Sequence, residues 1–142
     1  MIQVIMAKVG QEVDDNTGEK IVQLLIMMFQ SVQKVTESGL LAYQGVCVGL
    51  QNRVNIKDFG QYLYWALEGE EEDCTRVACG IISDIVAAFR NDSDLYLSSL
   101  VPHLLNVLQS PKRERKTKLV AFQSLADVAF YAGPSFCKNY LH

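Results

Sequence analysis

The side chains able to do covalent or metal chemistry are few in this 142-residue chain: four cysteines, Cys47, Cys74, Cys79 and Cys137, and two histidines, His103 and His142. Cys74 and Cys79 have four residues between them, but the histidines are too few and too scattered to complete a zinc site. The thiols sit among apolar or helix-forming residues, without the spacing of a small disulfide scaffold, so a reduced, intracellular chain is expected. No Ser-His-Asp arrangement, no histidine beside a cysteine and no Gly-rich phosphate loop can be assembled, since Gly45 and Gly49 fall within a helical pattern rather than after a strand. The expectation is a binding protein with no catalytic residue, no metal and no cofactor.

Charge offers more. Asp84 and Asp127 lie in otherwise apolar helical segments, where a carboxylate must be satisfied. Each could form charge-assisted hydrogen bonds with a lysine or arginine of a partner, or hold neighbouring helices together. The acidic run Glu70, Glu71, Glu72 and Asp73 could meet a basic ligand, or could oppose the positive end of the helix dipole at the start of the next helix. Lys112 to Lys118 carries +4, including Arg113, Arg115, Lys116 and Lys118, and could meet an acidic patch or face an adjoining helix pair. The net charge is −3, which leaves −7 for the rest of the chain. An acidic background disfavours direct nucleic-acid binding and attracts basic partners. Trp65 could seat an aromatic peptide residue or serve packing alone.

The elements that must position these groups are helices. Ile21, Leu24, Leu25, Met28, Phe29 and Val32 recur at three-and-four spacing, and a second helix follows from about Glu37 to Leu50. Asp58 to Leu67 reads as a shorter helix, and Cys74 to Phe89 as one so apolar that it must be buried between neighbours. Asn91 to Asp94 supplies a turn, after which Leu97, Leu100, Val101, Leu104, Leu105 and Leu108 mark a helix that Pro102 should bend. A last long helix runs from about Lys116 to Ala132 and is stopped by Gly133-Pro134. The longest strongly apolar run, Leu24 to Phe29, is too short to span a bilayer, and no signal peptide opens the chain, so no membrane insertion is expected.

Two of these helices repeat. Thr75 to Phe89 laid over Lys118 to Ala132 puts Ala78 on Ala121, Ile82 on Leu125 and Asp84 on Asp127, a shift of 43 residues that lies in the range of HEAT repeats. Each pair has an amphipathic outer helix and a more apolar inner one, and neither buries its surface without neighbours. The expected fold is all-α, an α-α superhelix of about three antiparallel helix pairs over 19–51, 57–90 and 94–133. Residues 1–13 would end a preceding repeat and 134–142 begin a following one, as in an excised stretch of a longer solenoid.

Several motifs resemble the importin β (karyopherin β) family. Ile2-Gln3-Val4-Ile5 with Lys8-Val9 looks like the end of an inner helix, Leu25-x-x-Met28-Phe29-Gln30-Ser31 is similar to the family's outer-helix motif, and Asp58-Phe59-x-x-Tyr62-Leu63 to its acidic-Phe-x-x-Tyr-Leu element. The nearest blocks are Gly80-x-x-x-Asp84-Ile85, Arg115-x-x-Lys118, and Leu125-Ala126-Asp127-Val128-Ala129 followed by Gly133-x-x-Phe136. Leu119 stands where the family usually has proline, and the loop Asn52 to Lys57 is longer. The resemblance covers the whole chain. It implies a nuclear transport receptor that holds the basic importin-β-binding segment of importin α, binds Ran-GTP, touches Phe-Gly nucleoporins and carries cargo proteins between cytoplasm and nucleus through the nuclear pore complex. The alternative is a HEAT-repeat scaffold subunit of a multiprotein complex outside transport.

Overall fold

The structure is a computed structural model that describes residues 13–31, 35–50, 60–88 and 93–140. The described residues form seven helices: α1 (Asp15–Ser31), α2 (Glu37–Leu50), α3 (Gly60–Glu68), α4 (Glu72–Ala88), α5 (Ser93–Gln109), α6 (Arg115–Ala132) and α7 (Pro134–Tyr140). The expected end of a preceding repeat over residues 1–12, the loop 52–57, the Asp58-Phe59 half of one motif and the Asn91-Asp92 turn lie outside the described residues.

Local chemistry starts and stops the helices where polar groups allow it. Asp14 caps α1 by accepting from the Thr17 N–H at 3.3 Å, and Thr36 caps α2 by accepting from the Gly39 N–H at 3.2 Å. Gly39 also admits the neighbouring helix: a Cβ there would stand 3.0 Å from the Phe29 ring of α1 and 3.1 Å from its own capping hydroxyl. At the other end of the chain, Gly133 takes φ +50 and closes α6 by donating to the Ala129 carbonyl, and Pro134 then opens α7.

Helix α5 runs unbroken through Pro102. The proline is exposed, and so is Ser98 one turn before it, so the carbonyl that Pro102 cannot bond is left where solvent reaches it.

Packing sorts the helices into two layers. Helices α2, α4 and α6 touch in sequence and form the inner layer; α1, α3, α5 and α7 lie outside them, each against the inner helix of its own pair or, for α7, against α6. The all-α solenoid of antiparallel helix pairs expected from the repeat is what the chain forms. Its core is continuous through the stack, from Phe29 and Tyr43 through Leu63, Ile82 and Leu104 to Val128. Cores of this kind lose about 2–5 kcal/mol for each large aliphatic side chain cut back to alanine.

Each inner helix uses two opposite faces. On α4 one stripe carries Cys74, Ala78, Ile81 and Ile85, all buried, with the Cys74 thiol 3.8 Å from the Val35 carbonyl just before α2. The face toward α6 carries Arg76, Cys79 and Ser83, which meet Thr117 and Ser124. The same two stripes recur on α6 at a shift of 43 residues, Thr117, Ala121, Ser124 and Val128 being buried against α4. Small residues at these positions let the helix axes approach closely.

Candidate functional site

The turn between α3 and α4 and the loop between α5 and α6 form one cluster of charge. Arg113, from the loop, donates to the Leu67 carbonyl at 2.7 Å and the Gly69 carbonyl at 2.6 Å, which are free because α3 ends there. Its other nitrogen stands 3.5 Å from the Glu72 carboxylate. Arg76, one turn into α4, pairs with Asp73, reaches Glu114 at 3.3 Å and donates to the Thr117 hydroxyl at 2.9 Å. Of the basic loop, Arg113 meets Glu72 of the acidic run within the chain itself.

These contacts act on the Glu72 carboxyl. Burial pushes the Glu72 carboxyl up, but the Thr117 hydroxyl, the Arg113 guanidinium and the Glu114 backbone outweigh it and hold the group below its usual range. Burial pushes the Cys47 and Cys79 thiols up to about 12, so both stay protonated at neutral pH.

Beside the cluster runs a groove of about 230 Å³ lined by Val35, Trp65, Ala66, Gly69, Glu70, Glu71 and Cys74. Trp65 is 49% exposed, and its ring meets Tyr62 edge-on at 5.5 Å; Tyr62 in turn stacks on Phe29 of α1 at 4.4 Å. The indole is thus braced from behind while one face stays open. Glu70 is exposed on the rim, and Glu71 lies 3.6 Å from the Cys74 thiol.

The residues singled out from sequence separate into two groups. Asp84 faces back toward the preceding pair and accepts a hydrogen bond from the Gln44 side chain of α2, so it ties inner helices together. Glu72 and Asp73 are engaged by Arg113 and Arg76. Asp127, the counterpart of Asp84, accepts from Gln123 of its own helix at 3.2 Å and has no ion-pair partner among the described residues. Glu70 and Arg115 are exposed and Lys118 is half-buried, and none of the three has an ion-pair partner among the described residues.

Sequence reasoning passed over Arg76, Gln44 and Thr117 as clamps and named Arg113 only as one member of a basic run. The available signal was an arginine inside an apolar helix and another two residues after Pro111, each placed to meet an acid 38 to 41 residues away. His103 was missed in the same way: its ring stacks on Tyr64 at 4.5 Å and its Nδ1 lies 3.1 Å from Glu68, linking α5 to α3 in the outer layer.

With this geometry in place, one comparison with known proteins decides the family. A family profile described as importin subunit beta-1-like, TPR repeats, matches residues 1–142. The chain belongs to the importin subunit beta-1-like family. No curated protein and no solved structure matches it. Within this importin-β-like chain the 43-residue shift between α4 and α6 is longer than the 34 residues of a standard tetratricopeptide unit and sits within the HEAT range. Among the described residues, no helix of the importin-β-like chain is long and apolar enough to cross a membrane.

Proposed function

We propose that this chain is part of a nuclear transport receptor and that it works by binding proteins, without catalysing a reaction. In this reading it carries cargo, directly or through importin α, across the nuclear pore complex under Ran-GTP control, and moves between cytoplasm and nucleus. Phe-Gly nucleoporins are its partners in passage, and neither nucleic acid nor a membrane is bound directly.

The observation that carries the reading is the match of an importin subunit beta-1-like profile over the whole chain. The distribution of charge supports it. The carboxylates Glu70 and Asp127 are left over after the stack has engaged Glu72, Asp73 and Asp84, and they stand on an acidic background. Such charges draw a lysine- and arginine-rich segment by long-range attraction and then fix it by charge-assisted hydrogen bonds.

Charge reversal separates ligand residues from structural ones. Glu70→Lys and Asp127→Lys are each expected to weaken binding of a fluorescent basic peptide from importin α by about tenfold, with unchanged helicity. Asp84→Asn is expected to lower the melting temperature instead and leave affinity within about twofold. If both lysine variants bind the peptide as the parent does, the acidic residues are not the basic-segment site.

A further inference from the structure

Of the three prolines in the chain, Pro102 follows Val101, Pro134 follows Gly133, and only Pro111 follows a hydroxyl side chain, that of Ser110. The segment Ser110-Pro111-Lys112-Arg113 also places a basic residue three positions beyond that hydroxyl. It lies in the loop between α5 and α6. Ser110 comes directly after the last turn of α5, where its N–H donates to the Asn106 carbonyl at 3.0 Å, and Pro111 and Lys112 are exposed. The Ser110 hydroxyl bonds to no other described residue.

We propose that Ser110 is a phosphorylation site for a proline-directed protein kinase, and that its phosphate opens the Arg113 clamp between the two helix pairs. The inference is independent of the transport reading. A proline after the acceptor has no N–H to leave unpaired in an apolar kinase pocket, and the basic residue further on gives such a kinase an ionic anchor. In the transfer the Ser110 oxygen bonds to the γ-phosphorus of ATP as the bond from that phosphorus to the bridging oxygen breaks. ADP departs, and the hydroxyl proton passes to the carboxylate base of the kinase.

Arg113 has a part in both states. In the clamped chain it donates to the Leu67 and Gly69 carbonyls and stands 3.5 Å from Glu72. A phosphate three residues before it brings about two negative charges at neutral pH and three strong acceptor oxygens. Two neutral carbonyls and one carboxylate at 3.5 Å compete poorly with it, so the guanidinium is drawn to the phosphate. Glu72, Asp73 and Glu114 already occupy the same cluster, and further negative charge is repelled there. The kinase must itself draw Arg113 away from the carbonyls to read it. Modification and clamping therefore exclude one another, and whatever tightens the clamp slows the kinase.

The test uses the 142-residue chain, a cyclin-dependent kinase and magnesium ATP, with mass spectrometry to locate the phosphate. Incorporation is expected at Ser110 and should disappear in Ser110→Ala and Pro111→Ala. Glu72→Gln, which loosens the clamp and leaves the recognised segment intact, should be modified about threefold faster or more. Leu40→Ala, a buried change in α2 far from the loop, should leave the rate within about twofold. The phosphorylated chain should melt about 4 °C or more below the parent. No phosphate on Ser110 of the native chain, whether or not an isolated peptide of residues 105–116 is modified, overturns the site. A phosphorylated chain that melts as the parent does overturns the opening of the clamp, as does equal acceleration by Leu40→Ala and Glu72→Gln, which would mean that the kinase reads the unfolded chain.

Discussion

Arg113 joins two helix pairs through three acceptors: the Leu67 and Gly69 carbonyls lie past the last donors of α3, and Glu72 would lose its arginine while keeping a half-buried charge. Arg113→Ala is expected to cost about 2–3 kcal/mol by urea denaturation, whereas Arg115→Ala, at an exposed position without an ion pair, should stay within about 0.5 kcal/mol. The thiols give a second residue-level outcome. Cys47, Cys74 and Cys79 are buried, and Cys47 and Cys79 also keep their protons to about 12, while Cys137 is exposed. Maleimide at neutral pH should modify Cys137 alone in the native chain and all four thiols in denaturant. At this scale the sequence was only half legible. Asp84 and Asp127 are identical by type and repeat position, and only the structure shows that one accepts from Gln44 of the preceding pair while the other accepts from Gln123 of its own helix.

An inner helix of this stack is defined by its two faces, and the faces predict opposite responses to the same change. Ala121 is buried against α4 and Ala126 is exposed. Ala121→Leu should destabilise by about 1–3 kcal/mol through overpacking, and Ala126→Leu by less than about 0.5 kcal/mol, both read from denaturant midpoints. The 43-residue shift made the helices and their pairing legible from Ala78, Asp84, Ala121 and Asp127. The lateral register was not. The residues that touch across the stack are 38 to 46 apart, from Arg76 to Glu114 at one extreme through Gln44 to Asp84 and Cys79 to Ser124 to Arg113 and Leu67 at the other, because each helix meets its two neighbours with different sides. Periodicity reports which side chains are equivalent, and contact requires the faces to be opposed.

For the molecule as a whole, the charge clusters act as fasteners between repeats, and this makes stability depend on pH with a definite sign. The Glu72 carboxyl is held below its ordinary value of 4.5, so the unfolded chain takes up the proton first as pH falls. Its contribution is complete above that value and is lost as pH drops through the lower folded one. The melting temperature should therefore decline below about pH 4.5, and Glu72→Gln should flatten that decline while lowering stability at neutral pH.

The all-α stack was legible throughout because helical periodicity survives in every element. The binding surface was not, because the same carboxylates that suggest a basic partner also serve the stack, and only their spatial neighbours distinguish the two uses. In the proposed transport reading the carboxylates offered to a basic partner are Glu70 and Asp127. The most direct test of their role is a charge swap measured by calorimetry. The basic importin α segment and a version with its lysines and arginines changed to glutamate are each titrated into the parent chain and into the Glu70→Lys, Asp127→Lys double variant. The parent should bind only the basic segment, with affinity falling as salt rises, and the double variant should lose it by about tenfold or more and gain measurable affinity for the acidic version. Equal affinity of parent and double variant for the basic segment would contradict a binding surface made by these two carboxylates.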